Sequence, residues 1–203
     1  MVNNYYLRVD EKTNTLDSLQ KTRVFLSSAD KDDFYWKWSM IALHNVLYGS
    51  MILALKGTNP ERVGGKNKRL ISFGEALKRI QNPKYMGMYI SSKFVCINPE
   101  IDKLKGVEKY RTKATIFPPE LSVDLEHLNK YIRNEFMHYY PKSISFGKRG
   151  FIEIIYNSSD LIKFLLLESG NVILNDGDRR LIKDELNLLQ ILTTNLKIKY
   201  KYE

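Results

Sequence analysis

The chain has 203 residues, enough for one domain, and 43% of them are hydrophobic, so it can bury an ordinary core and is not a disordered polyelectrolyte. One cysteine and three histidines exclude an internal disulfide framework and leave too few soft ligands for a convincing structural zinc site. Thirty-two basic residues against 23 acidic ones give a net charge of +9, which favours polyanionic partners such as nucleic acid, although a lysine-rich composition alone produces the same balance.

The first residues, Met1-Val2-Asn3-Asn4-Tyr5-Tyr6, lack the basic end and apolar stretch of a signal peptide. The most apolar segment, Met40 to Leu55, is shorter than the roughly 20 residues of a membrane span and contains His44, Asn45 and Ser50. The expectation is a cytoplasmic protein with no membrane partner. Neither internal repeats nor low-complexity tracts are visible.

In chain order, a first helix is expected from about Thr15 to Ser27, with Leu16, Leu19, Val24 and Phe25 as its apolar positions. A second follows from Phe34 to Leu55, with Asp30 as its cap, Asp32 and Asp33 at its positive end, and Gly57 just past Lys56. That helix is apolar around most of its circumference, so it is either central in a bundle or shared with a second subunit. Gly49 and Ser50 in its middle would let another helix approach closely.

Residues 58–70, with Pro60, Gly64 and Gly65 among basic side chains, read as a solvated loop. Gly65-Lys66 is not a phosphate-binding loop, because Pro60 stands where the first glycine of that motif belongs and Asn67 replaces its Ser or Thr. A third helix starts at Ser72, where Ser72-Phe73-Gly74-Glu75 has capping-box spacing, and stops before Pro83. Residues 84–117 read as an insertion of mixed structure, a short helix or hairpin. A fourth helix runs from Pro119 or Ser122 to Tyr139 and is ended by Pro141. Two more cover about Phe151 to Glu168, closed by Gly170, and about Asp178 to Ile198. The sum is an all-α helical bundle forming a single domain over 1–203, interrupted at 84–117.

On a wheel of 100° per residue, Leu121, Leu125, Leu128, Ile132, Phe136 and Tyr139 of the fourth helix share the core face. Lys130, Arg133, Asn134 and Met137 lie opposite, and His138 sits on the flank, one ridge along from Asn134. A guanidinium, an amide and an imidazole therefore converge near one helix end. Arg presents a planar fork of donors suited to phosphate oxygens, and His takes or gives a proton near neutrality. RNA carries its own nucleophile, the 2′-hydroxyl, so such a trio could cleave it by internal transesterification with no metal or other cofactor. The plainer role for the same residues is a His complementing the helix dipole and an Arg solvating a face.

The run Asn129-Lys130-Tyr131-Ile132-Arg133-Asn134-Glu135-Phe136-Met137-His138-Tyr139-Tyr140-Pro141-Lys142 resembles the signature of the HEPN superfamily, an Arg followed after four to six residues by a His, commonly with a polar residue after the Arg. The segment Asp30 to Gly57, with Ala42-Leu43-His44-Asn45-Val46-Leu47, is similar to the early helix of bacterial HEPN-like proteins. The resemblance spans about residues 15–57 and 120–170. It implies an up-down four-helix core and a homodimer in which two motifs face each other across a two-fold axis. It also implies a metal-independent endoribonuclease of toxin, defence or RNA-processing type, acting on RNA or a nucleotide, with an antitoxin or accessory protein as a further partner. Other members are catalytically silent modules that bind a nucleotide, RNA or a protein. On this reading Arg133 stabilises the phosphorane charge, His138 is the general acid or base, and Asn134 orients the imidazole.

Among other residues, Lys130, on the face of Arg133, and Lys142, in the following loop, are candidate contacts for an RNA backbone, as is the Lys148-Arg149 pair. His44 is a substrate-binding candidate too, against the plainer role of a hydrogen-bonded core histidine. Trp36 and Trp38 are expected to pack, and Cys96 has no base nearby in sequence.

Overall fold

A computed structural model describes residues 7, 9–65, 69–86, 119–137 and 145–200. Its helices are α1 (Glu11–Ser28), α2 (Phe34–Lys56), α3 (Phe73–Ile80), α4 (Pro83–Met86), α5 (Pro119–His127), α6 (Arg133–Met137), α7 (Lys148–Lys163) and α8 (Asp176–Lys199). A π-helical turn, Leu128–Ile132, joins α5 to α6, and another, Phe164–Glu168, extends α7. Among the described residues there is no β-strand, only a bridge between Gly64 and Leu70, and the fold is all-α. The insertion expected at 84–117 lies, from residue 87 onward, outside the described residues.

Local chemistry sets the ends of these helices. α1 begins at Glu11, upstream of the expected Thr15, because Asp10 Oδ1 accepts from the Thr13 amide at 2.7 Å and the Thr13 hydroxyl accepts from the Asp10 amide at 3.0 Å. A threonine in the third helical position completes this reciprocal cap, where the usual signal is Glu or Gln. Asp30 does not cap α2. Asp33 precedes the helix, Asp32 Oδ1 accepts from the Phe34 amide, and Asp30 instead receives Lys199 Nζ at 2.9 Å and the Tyr200 hydroxyl at 3.1 Å from the end of α8. Ser72 caps α3 through the Glu75 amide, and Asn175 caps α8 through the Asp178 amide. Gly170, at φ 72°, supplies the left-handed turn after the α7 extension. The segment expected as a solvated loop is more ordered than that: Asn59 caps a 3₁₀ turn, Pro60–Val63, and Val63 is buried.

α2 is the axis of the bundle. From Trp36 to Leu55 its buried side chains point in every direction, and it packs on α1, on α3, on α7 and on the α5–α6 helix. Most of its apolar circumference is covered within one chain, as a central helix requires, while Phe34 and Trp38 near its start stay exposed. At 23 residues it is, by length and composition, long and apolar enough to cross a membrane, contrary to the shorter apolar segment expected, and 67% of its apolar window is buried within the bundle. At Gly49 α1 approaches α2 closely. A Cβ placed there would lie 2.1 Å from Thr15 Oγ1 and 3.1 Å from Thr15 Cβ, so glycine is a steric requirement of the α1–α2 crossing.

α8 closes the bundle against α1 and α7. Arg23 of α1 forks onto the nearly buried Glu185 of α8, with Nε at 2.5 Å and Nη2 at 3.2 Å from its two oxygens. At the lower end an aromatic cluster ties three helices together: Phe136 meets Phe146 edge-on at 5.0 Å and Phe151 at 6.0 Å, and Trp36 lies 6.2 Å from Phe151. Trp36 is buried as expected, whereas Trp38 is 46% exposed with Lys37 Nζ 5.1 Å above its ring.

Candidate functional site

The helix carrying the Arg-Asn motif presents its core face as the periodicity requires. Leu121, Leu125, Leu128 and Ile132 are buried, and Phe136 is packed in the aromatic cluster. Asp124 accepts from Asn157 Nδ2 at 2.8 Å, which ties α5 to α7. The π turn is the feature the wheel does not contain. In it the Arg133 amide donates to the Leu128 carbonyl five residues back, which inserts one residue relative to an α-helix and changes the direction in which everything downstream emerges.

Lys130 and Met137 face solvent, as expected. Arg133 and Asn134 are half-buried, on a helix that packs against α2. Arg133 Nη1 donates to Asn134 Oδ1 at 3.0 Å, and Asn134 Nδ2 donates to the Lys130 carbonyl at 3.0 Å. The amide of Asn134 thus holds the guanidinium with one end and the π turn with the other. Lys130 Nζ sits 2.9 Å from Glu126 in a surface ion pair. His138 and Lys142, the remaining members of the expected site, lie outside the described residues.

His44 joins this group from the opposite side. It is buried in the middle of α2, with its ring stacked on Phe73 at 4.6 Å and an interplanar angle of 18°. Its Nε2 lies 3.2 Å from Oδ1 of Asn129, which belongs to the π turn. Since an amide oxygen only accepts, Nε2 carries the hydrogen and donates. Burial holds His44 below its usual value of 6.5, and the positive charge of Arg133 pushes the same way, while the hydrogen bonds with Asn129 and Asn45 oppose them. The imidazole of His44 therefore feels the positive charge of Arg133 within one chain.

The structure pairs Arg133 with Asn134, and pairs His44 with Asn129 of the adjoining π turn, a residue that sequence reasoning passed over. A polar residue four positions before Arg133 and opposite an in-core histidine was the available signal. Lys148 and Arg149 lie at the start of α7: Lys148 pairs with Asp33 at 2.8 Å, and Arg149 lines a cavity of about 320 Å³ with Lys197 and Tyr200, to which α6 contributes nothing. Chemically, the Arg133 group can hold an anion: a guanidinium with one donor fixed by Asn134 keeps others for phosphate oxygens. Compared with protein families, curated proteins and solved structures, the chain matches none of them.

Proposed function

We propose that the chain is a metal-independent endoribonuclease that works as a homodimer in the cytoplasm, with Arg133 and His138 as its catalytic pair. The observation that carries this reading is the preorganised cation: Arg133 is held by Asn134 at the start of a short helix whose last described residue, Met137, is exposed just before His138. A fixed donor array aimed at developing charge loses little to reorganisation during reaction. The HEPN-like spacing supplies the imidazole, and two copies of the motif across a two-fold axis supply one imidazole for each proton that must move.

In the reaction the 2′-oxygen of RNA attacks the adjacent phosphorus while a general base takes its proton. The bond from phosphorus to the 5′-oxygen breaks as a general acid protonates that oxygen. The products are a 2′,3′-cyclic phosphate and a 5′-hydroxyl, and Arg133 stabilises the phosphorane charge between them. Lys130 and Lys142 serve as backbone contacts, Lys130 after exchanging Glu126 for a phosphate. The test is cleavage of single-stranded RNA in EDTA by the full chain and by His138→Ala and Arg133→Ala. Cyclic-phosphate ends from the wild type alone support the proposal. Equal cleavage by all three, or none by any, refutes it.

A second reading, a catalytically silent module that binds RNA or a nucleotide, is favoured by the part-buried Arg133 itself, which can clamp an anion with no proton transfer. Salt-dependent RNA binding without cyclic-phosphate product would select it.

A further inference from the structure

Three hydrogen bonds, joined through the backbone of the π turn, lead from the core of α2 to the Arg133 guanidinium. His44 Nε2 bonds Asn129 Oδ1 in the π turn; the next residue, Lys130, offers its carbonyl to Asn134 Nδ2; and Asn134 Oδ1 takes the Arg133 Nη1 donor. Each link is near 3 Å, and the inner end is rigid, because the His44 ring is stacked on Phe73 and α2 is the axis of the bundle. Phe73 is itself fixed: it is buried, it follows the Ser72 cap, and the Tyr48 hydroxyl of α2 donates to the carbonyl of nearby Ile71.

We infer that His44 is a positioning residue for Arg133, acting through Asn129 and the π turn, so that the guanidinium is held ready for a phosphodiester. The inference rests on the reading of Arg133 as an anion site. A π turn is a less favourable helical geometry, seen mostly as single turns and frequently at functional sites, and here a buried side chain from another helix grips it from within. Asn129 by itself would satisfy no core group at that position. With His44 it fixes the register at which the chain returns to α-helical form at Arg133. Among the described residues the charge that reaches His44 is that of Arg133 on α6; α3 presents the apolar Phe73 and the π turn presents the neutral Asn129. A neutral donor is the form compatible with a cation as neighbour, which fits the Nε2-protonated tautomer.

The test separates positioning from packing. His44→Phe keeps the stack and removes the donor, Asn129→Ala removes the acceptor, and His44→Gln restores a neutral donor. Each is titrated as the full chain with a 2′-O-methyl RNA trinucleotide, which binds and cannot be cleaved, while the Arg133 Nε–Hε resonance is followed by NMR. His44→Phe and Asn129→Ala should each weaken binding by about five- to tenfold, the range a single hydrogen bond accounts for, and should shift the Arg133 resonance before ligand is added. The double variant should be no weaker than either single one, and His44→Gln should recover most of the loss. Arg133→Ala is the reference arm. If Arg133→Ala binds like wild type, the anion site falls and the inference falls with it. If Arg133→Ala loses binding while His44→Phe keeps it, or if the His44 and Asn129 effects add, the anion site stands and the positioning role is overturned. A loss that follows the fall in melting temperature and leaves the Arg133 resonance unmoved would likewise overturn it.

Discussion

Gly49→Ala tests whether the α1–α2 crossing is set by a missing side chain. The added methyl would lie 2.1 Å from Thr15 Oγ1, 3.1 Å from Thr15 Cβ and 3.2 Å from Thr15 Cγ2. Rotating Thr15 can move its hydroxyl, at the cost of its 2.6 Å bond to the Glu11 carbonyl, but it cannot move Cβ, which rides on the α1 backbone. Overpacking of this kind costs about 1–3 kcal/mol, and the contact here belongs near the upper end. Alanine in place of glycine inside a helix returns about 1 kcal/mol of intrinsic propensity. The net is a loss of about 2 kcal/mol, or about 4–8 °C in melting temperature for a chain of this length. Thermal unfolding followed by circular dichroism reads it directly. Thr15→Ala in the Gly49→Ala background should recover about half, because it removes the hydroxyl and the methyl and leaves the Cβ contact. Gly150→Ala, where a methyl meets nothing within 4 Å, should be neutral or slightly stabilising. A Gly49→Ala protein as stable as wild type would mean the helices are free to separate there, and the close-approach reasoning would be wrong.

Other consequences follow from the same contacts. Burial and Arg133 depress the His44 pKa in the folded state, so the unfolded chain binds that proton at higher pH; His44 therefore contributes stability above about pH 6.5 that is lost as pH falls through its folded value. Urea melts from pH 7.5 to 5 should show this slope in wild type and a flatter one in His44→Gln, and equal slopes would contradict it. Arg23→Gln should cost about 2–4 kcal/mol by stranding the nearly buried Glu185 carboxylate, with Glu185→Gln recovering part of it in a double-mutant cycle. Met137→Glu should leave the melting temperature within about 2 °C, as an exposed change does, yet shift a homodimer towards monomer in light scattering if the end of α6 faces a second copy. Phe136→Ala should destabilise by about 2–4 kcal/mol, since it empties the ring seated between Phe146 and Phe151.

How far the sequence could be read depended on whether the deciding interaction was local. Ser72 with Glu75, the stop at Gly170 and the full-circumference apolarity of α2 each act within a turn or along one helix, and each led to the right element. Asp30 misled because its partners, Lys199 and Tyr200, lie at the far end of the chain and outbid a helix cap. The π turn misled in a subtler way. A wheel at 100° per residue assumes that every amide bonds four residues back, and at Arg133 it bonds five back. The apolar spacing carried a trace of this: Leu128, Ile132 and Phe136 follow one another at two successive steps of four, where an α-helical core face alternates threes and fours. Arg133 and Asn134 are half-buried rather than on the open outer face where the wheel put them, while Lys130 and Met137 stay outside. The difference matters for chemistry. On an open face an arginine is one more solvated cation of a basic chain. Half-buried, it has one donor fixed on Asn134 Oδ1, and its charge reaches the imidazole of His44 and disfavours a second positive charge there.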